Sequence, residues 1–205
     1  MAQPKVRNIV FDVGNVIVRW DPLEITRLTF VESEDHQQLA KATFQSQTWI
    51  DLNKGLISET EAKTQYQQIL GFSEQECEEL FYYVKQTQRL IVGSIALIQR
   101  IKSAGYGVYA LTDNVHEIVA YLKSTYSFWP LFDGAIVSAE VGMLKPQPEI
   151  YHLLLNKYEL IASETVFIDD MLYNVEGAKS VGMHAIQFED IGQCEKDLIS
   201  LGLNI

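Results

Sequence analysis

Four short stretches of the chain place oxygen- and nitrogen-bearing side chains where apolar runs stop. Asp12 closes RNIVFD and is followed by a turn at Gly14 and Asn15. Thr112, Asp113 and Asn114 close YGVYALT, Lys145 stands in GMLKPQPEIY, and Asp169 and Asp170 close ETVFIDD. Taken singly, three of the four have plain structural readings. An aspartate after a strand is a common turn or capping residue. Thr112 or Asn114 can cap a helix, a role compatible with holding phosphate, because both use donors at a helix N-terminus. Lys145 is kept out of helix by Pro146, and a loop lysine is ordinarily solvated. The adjacent carboxylates are different. Two like charges at the end of a buried run, without a local basic partner, repel each other unless a divalent cation sits between them, and oxygen-only ligands suit magnesium. Asn174, at the start of the next helical pattern, can cap that helix or bond a carboxylate. In chain order the set reads as a carboxylate nucleophile, a hydroxyl/amide site, a lysine and a metal-binding pair. Those are the parts of a phosphoryl-transfer site. Gly14 is the odd member, because a second carboxylate there would be the natural proton donor.

Strand ends must bring these residues together. After Val92 the pattern alternates regularly: SIALIQRIKSAG reads as helix, YGVYALT as strand, VHEIVAYLKSTY as helix. A strand within DGAIVSAEVG, a helix from PEIYHLLLNKYEL, the strand ETVFIDD, the helix NVEGAKSVG and the strand MHAIQF follow. Alternation of this kind implies right-handed βαβ units and an α/β fold, a Rossmann-like parallel sheet sandwiched by helices. In such sheets ligands bind beyond the carboxyl ends of the strands, which is where all four stretches fall. From Trp20 to Arg89 strand signals vanish and apolar residues recur at helical spacing (Leu23, Ile25, Leu28; Ala62, Tyr66, Ile69, Leu70), with breaks at Asn53-Lys54-Gly55 and Gly71 and a capping-box pair at Ser73 and Glu76. We read residues 20–89 as an inserted helical cap of roughly four helices, and residues 1–19 with 90–205 as the α/β core.

The chain has 205 residues, 47% of them hydrophobic and 21% charged, which is ordinary for a globular protein of one domain with an insertion. Its net charge of −11, with no long Lys/Arg cluster, argues against nucleic acid as a partner. Cys77 and Cys194 are far apart and form neither a disulfide framework nor a zinc motif. The start MAQPKVRN lacks a signal-peptide core, and the apolar run LIVGSIALI is too short to span a bilayer. These features lead us to expect a cytoplasmic protein without a membrane partner, monomeric or homodimeric.

FDVGNV, LTDN, KPQPEIY and FIDDMLYNVEGAKSVGM together resemble the motifs of the haloacid dehalogenase (HAD) superfamily over nearly the whole chain. The resemblance is to its phosphatase branch with a helical cap, and the opening is similar to that of bacterial α-D-glucose-1-phosphate phosphatases. It implies Asp12 as nucleophile and metal ligand, the Gly14 carbonyl and Asp170 as further Mg2+ ligands, and Asp169 beside them. It implies Thr112, the Asp113 amide, Asn114 and Lys145 around the phosphate. The substrate it implies is a small phosphorylated metabolite. Cap residues Trp20, Asp21, Trp49, Asp51 and Asn53 are candidates for reading it, although Trp49 and Ile50 can equally anchor two cap helices. Most phosphatases of the superfamily carry an aspartate where this chain has Gly14. Its loss costs roughly 10²–10⁴-fold on a poor leaving group, so the expected substrate has a less basic leaving oxygen, such as a sugar 1-phosphate. His116 is a conceivable substitute proton carrier, but its place on a first helical turn favours a structural role. His152 and His184 read as packing positions and His36 as a surface residue of the cap. Two rival readings are a metal-independent 2-haloacid dehalogenase, against which the Asp169–Asp170 pair speaks, and a non-catalytic phosphate-binding protein. A phosphomutase would need the acid/base that Gly14 lacks.

Overall fold

The computed structural model describes residues 5–205; the first four residues of the N-terminal stretch discussed above lie outside it. Five parallel strands, β1 (Asn8–Phe11), β2 (Gly107–Thr112), β3 (Gly134–Val137), β4 (Thr165–Asp169) and β5 (His184–Gln187), form one sheet in the order β3-β2-β1-β4-β5. Their pairing aligns Phe11, the last residue of β1, with Ala110 and Ile168, so Asp12 stands beside the final residues of β2 and β4. The chain builds outward from β1 to β3 and then crosses to the other side of β1 at β4. The turns after β1 and β4 therefore flank the point where strand order reverses, the place where open α/β sheets bind ligands.

Strand residues are buried on both faces because helices cover both. Val10, Leu111, Ile136 and Phe167 pack with Ile150, Tyr151 and Leu154 of α9 (Pro148–Lys157) and Ala178 of α10 (Leu172–Ser180). On the opposite face Ile9, Phe11, Val108 and Ile168 pack with α6 (Ser94–Ser103), α7 (His116–Thr125) and α11 (Ile191–Ser200).

That second apolar cluster continues without a break into the segment between β1 and α6, through Ile25, Leu52, Tyr66, Leu80 and Phe81. The segment holds five helices where four were expected: α1 (Pro22–Thr29), α2 (His36–Phe44), α3 (Gln47–Asn53), α4 (Glu59–Leu70) and α5 (Glu74–Gln86). The extra break falls between α2 and α3, where Ser46 caps the new helix by accepting from the Trp49 amide. Complete capping boxes start α4 at Ser58–Glu61 and α5 at Ser73–Glu76. Leu28 and Ile69, which fit the apolar pattern, are exposed. The chain leaves for this segment and returns from it side by side, with Arg19 bonded to Arg89 and Ile91 to Ile17. A last correction concerns SAEV after β3. It is a short helix, α8 (Ser138–Val141), not strand.

α3 meets the turn after β3 almost backbone to backbone. Gly55 has φ +66°, and a Cβ there would collide with the Ala139 carbonyl. The Ser138 hydroxyl donates to the Asn53 carbonyl at 2.6 Å and accepts from the Asn114 amide at 2.8 Å. No described helix is long and apolar enough to cross a membrane.

Candidate active site

Asp12 is the residue after β1, and its Oδ1 accepts from the Val13 amide at 2.7 Å. Lys145, 24 residues before Asp169 in sequence, lies between the two strand ends, 3.0 Å from Asp12 Oδ1 and 2.6 Å from Asp169 Oδ2. Its backbone amide donates to Asp113 Oδ1 at 3.1 Å, which anchors the lysine loop to the end of β2. Asp169 is fully buried and saturated: besides Lys145, it accepts from the Met171 amide at 2.8 Å and from Asn174 Nδ2 at 3.0 Å. Asn174 thus bonds a carboxylate rather than capping α10, whose N-cap is Met171. The strand ends have brought together what the sequence left apart.

The electrostatics of this cluster follow from counting charges. Asp12, Asp113, Asp169 and Asp170 share one nearby cation. Burial alone would discharge Lys145, but Asp12, Asp169 and Asp113 outweigh it and hold the ammonium firmly protonated. Burial pushes Asp12 up to about 8, with Lys145 opposing and Asp169 reinforcing the shift. Both partners of the Asp12–Lys145 pair thus favour their protonated forms. For Asp12 the larger reason is burial; the second is the surplus of carboxylates over cations around it among the described residues. Burial likewise raises Asp113 to about 6, against the charge of Lys145, and raises Asp170, against its hydrogen bond from Asn15.

A second cation would remove that surplus. One oxygen each from Asp12, Asp169 and Asp170 lie within 4.8 Å of one another, an all-oxygen donor set that fits a small hard divalent ion. The oxygens are not equally available. Protein donors to Asp12 among the described residues converge on Oδ1, Asp169 is already saturated, and Asp170 takes one side-chain bond, from Asn15 Nδ2 at 3.1 Å. Asp12 and Asp170 are therefore the better ligands, and Asp169 the better holder of Lys145.

Asn15 is the residue that sequence reasoning missed. It stands at φ 52°, a left-handed conformation that asparagine tolerates better than most residues. There its Nδ2 reaches Asp170 while its Oδ1 accepts from the Trp20 amide at 2.8 Å. One side chain links a candidate ligand to the root of the helical segment.

Above the cluster opens a cleft of about 690 Å³, bordered by Asp12, Gly14, Asp113, Asn114, Lys145 and Asp170 on the sheet side. Thr112 is not on this border; it is buried at the end of β2, and Asp113 and Asn114 form the wall there. From the helical segment Trp20, Asp21, Trp49 and Asn53 line the cleft as expected, and Phe44, Lys41 and Gln45 join them. Asp51 does not. It faces along its own helix and accepts from Gln47 Nε2 at 2.7 Å. Asp21 borders the cleft but already caps α1 through the Glu24 amide and pairs with Arg19 at 2.7 Å. Gly14 has room: the nearest atom to a Cβ built there is the Trp20 Cβ at 3.8 Å. His116 is exposed, beside Gly55 and away from the cleft. His152 is exposed on α9 rather than packed, and His36 is half-buried rather than on the surface, with Nδ1 inside. Cys77 and Cys194 are buried free thiols.

Known proteins resemble this chain in sequence and in fold. The chain is 29% identical over 181 residues to the sesquiterpene phosphatase astK of Aspergillus oryzae, covering 88% of this chain and 89% of that one. It is 25% identical to the D-ribitol-5-phosphate phosphatase of Bacteroides thetaiotaomicron, over 94% of this chain and 97% of the relative. Its fold superimposes with a TM-score of 0.75, at 20% identity, on a HAD family enzyme of Bacteroides thetaiotaomicron solved in complex with magnesium and inorganic phosphate, covering 91% and 96% of the two chains. Residues 6–182 match the haloacid dehalogenase-like hydrolases, and the chain belongs to that family.

Proposed function

We propose that this hydrolase cleaves small phosphate monoesters with the help of Mg2+, through a phosphoryl group carried on Asp12. The observation that carries the reading is the convergence of Asp12, Lys145, Asp169 and Asp170 at the two strand ends flanking the switch point. Asp12 and Asp170, with the Gly14 carbonyl, would hold the ion. When bound, it neutralises phosphoryl oxygens and brings the Asp12 carboxylate into its ionised form. A carboxylate oxygen of Asp12 then attacks phosphorus, the ester P–O bond breaks, and the departing alkoxide takes its proton from water, since position 14 carries no acid. Water attacks the resulting acyl phosphate, restores the Asp12 carboxylate and releases inorganic phosphate. Lys145 and the donors around Asp113 and Asn114 hold the oxygens of the transferring group. Residues 20–89 act as the cap over this site. The phosphatase names of the two curated relatives support the reaction class.

Gly14 bears on the leaving oxygen alone. Without a carboxylate there, esters of more acidic alcohols are favoured, and sugar 1-phosphates satisfy that condition. The experiment is turnover of para-nitrophenyl phosphate with saturating Mg2+, with Asp12→Asn as the blank. The expected loss is at least about 10⁴-fold, with the folded spectrum retained. Release of halide from 2-haloacids that survives full chelation would instead establish a dehalogenase. Absence of turnover on any ester would leave a phosphate-binding protein.

A further inference from the structure

The wall of the cleft facing the charged cluster is aromatic. Trp20 and Trp49 stack at 5.6 Å with their planes 14° apart, and Phe44 closes on both edge-on, at 5.2 Å from Trp20 and 5.0 Å from Trp49. Leu23 and Ile50 extend this wall on the helical side, and Ile118 and Leu144 face it from the core side.

The polar residues on the border sort into two groups. One group is engaged with its own chain. Asn53 Nδ2 donates to the Trp49 carbonyl at 2.8 Å, Gln88 Nε2 donates to the Val84 carbonyl at 3.2 Å, and Asp21 is held by Arg19 and the Glu24 amide. The other group, Gln37, Lys41 and Gln45, forms one exposed stripe of α2 at four-residue spacing, at the rim. A second feature marks the mouth. Met171, Leu172 and Tyr173, next to Asp170, are exposed by 41%, 55% and 54%, and Met171 and Tyr173 border the cleft. Three consecutive exposed apolar side chains beside a charged floor make a surface that gains from being covered.

We infer that the organic half of the substrate is apolar: the cleft takes the phosphate monoester of a phenol, plain or carrying an alkyl chain, in preference to that of a polyol. This rests on the phosphatase reading. A polyol entering between Trp20, Phe44 and Trp49 gives up water at its hydroxyls and meets ring faces, while the Asn53 and Gln88 amides, each with one N–H already given to backbone, offer fewer partners than the water displaced. An alkyl or aryl group loses nothing there and buries its surface against three rings.

The test uses para-alkylphenyl phosphates from methyl to hexyl, whose phenol leaving groups are equally basic, with glucose 1-phosphate as the polyol. With Mg2+ bound, kcat/KM is expected to rise roughly threefold to fourfold per methylene until the cleft is filled, with glucose 1-phosphate below the shortest member. Trp49→Ala is expected to flatten the chain-length slope. A second measurement needs no variant: binding of hexylphosphonate against methylphosphonate, read from quenching of tryptophan fluorescence in the wild-type protein, should favour the longer chain by the same progression. A chain-length slope that is flat or negative, or a preference for glucose 1-phosphate, overturns the inference while leaving the phosphatase reading intact. Hydrolysis of no ester at all overturns the phosphatase reading, and the phosphonate series then still decides whether the wall binds apolar groups.

Discussion

On the floor of the cleft Lys145 stands 3.0 Å from Asp12 and 2.6 Å from Asp169, both almost sealed from water. On its wall Trp20 lies over Trp49 at 5.6 Å, ring against ring, and both are partly exposed. The floor is held by directional charge-assisted bonds whose partners each have a fixed place. Removing any one leaves an uncompensated charge in a dry setting. The wall is held by area and shape, which tolerate exchange among residues of similar bulk. On the proposed function, the chemistry would rest on the first kind of contact and selection of the organic group on the second.

Breaking the floor should cost most. Lys145→Met leaves Asp12, Asp113 and Asp169 facing one another, and we expect a loss of about 3–5 kcal/mol in urea unfolding of the metal-free protein. Saturating Mg2+ should restore part of that loss, because the ion supplies the missing positive charge. A loss no larger than that of an exposed lysine would show that the floor is not held as described.

Asp113 sharpens the comparison through pH. Its carboxyl is raised to about 6 from an ordinary 3.8. A group with a raised folded-state value contributes stability that is full below the unfolded value and is lost as pH climbs through the folded one. Relative to Asp113→Asn, the metal-free wild type should therefore lose roughly 1–3 kcal/mol between pH 4 and pH 8. Parallel pH curves for the two proteins would remove the charge argument at the end of β2.

The smallest expected effect lies where floor and wall join. Asn15→Ala frees Asp170 from its 3.1 Å bond and Trp20 from its 2.8 Å bond. Magnesium affinity measured by calorimetry should fall about tenfold, as for other residues that orient a ligand from behind. An unchanged affinity would mean that Asp170 needs no such support.

The same contrast explains what the sequence displayed. The floor was legible because its aspartates follow apolar runs, which neighbouring parallel strands must gather at one edge, and the loop that carries Lys145 returns to the same edge. Its wiring was not. Asn15 meets Asp170 across 155 residues and only at a positive φ, and Asp169 rather than Asp170 captures Lys145 because Asn174 and the Met171 amide hold it in place. Helix existence in residues 20–89 was plain, but the number of helices was not, since the cap at Ser46 interrupts a run whose composition does not change. Trp20 and Trp49 were found by type. Asp51 was misplaced because one helical step decides whether a carboxylate faces the cleft or its neighbour Gln47.

Gly55 carries a consequence for descent. The approach of α3 to the turn after β3 is backbone against backbone, so any side chain at position 55 would drive the two apart. That contact is therefore gauged by main chain, and exchanges at Trp20, Phe44 or Trp49 would alter the lining of the cleft without disturbing the contact.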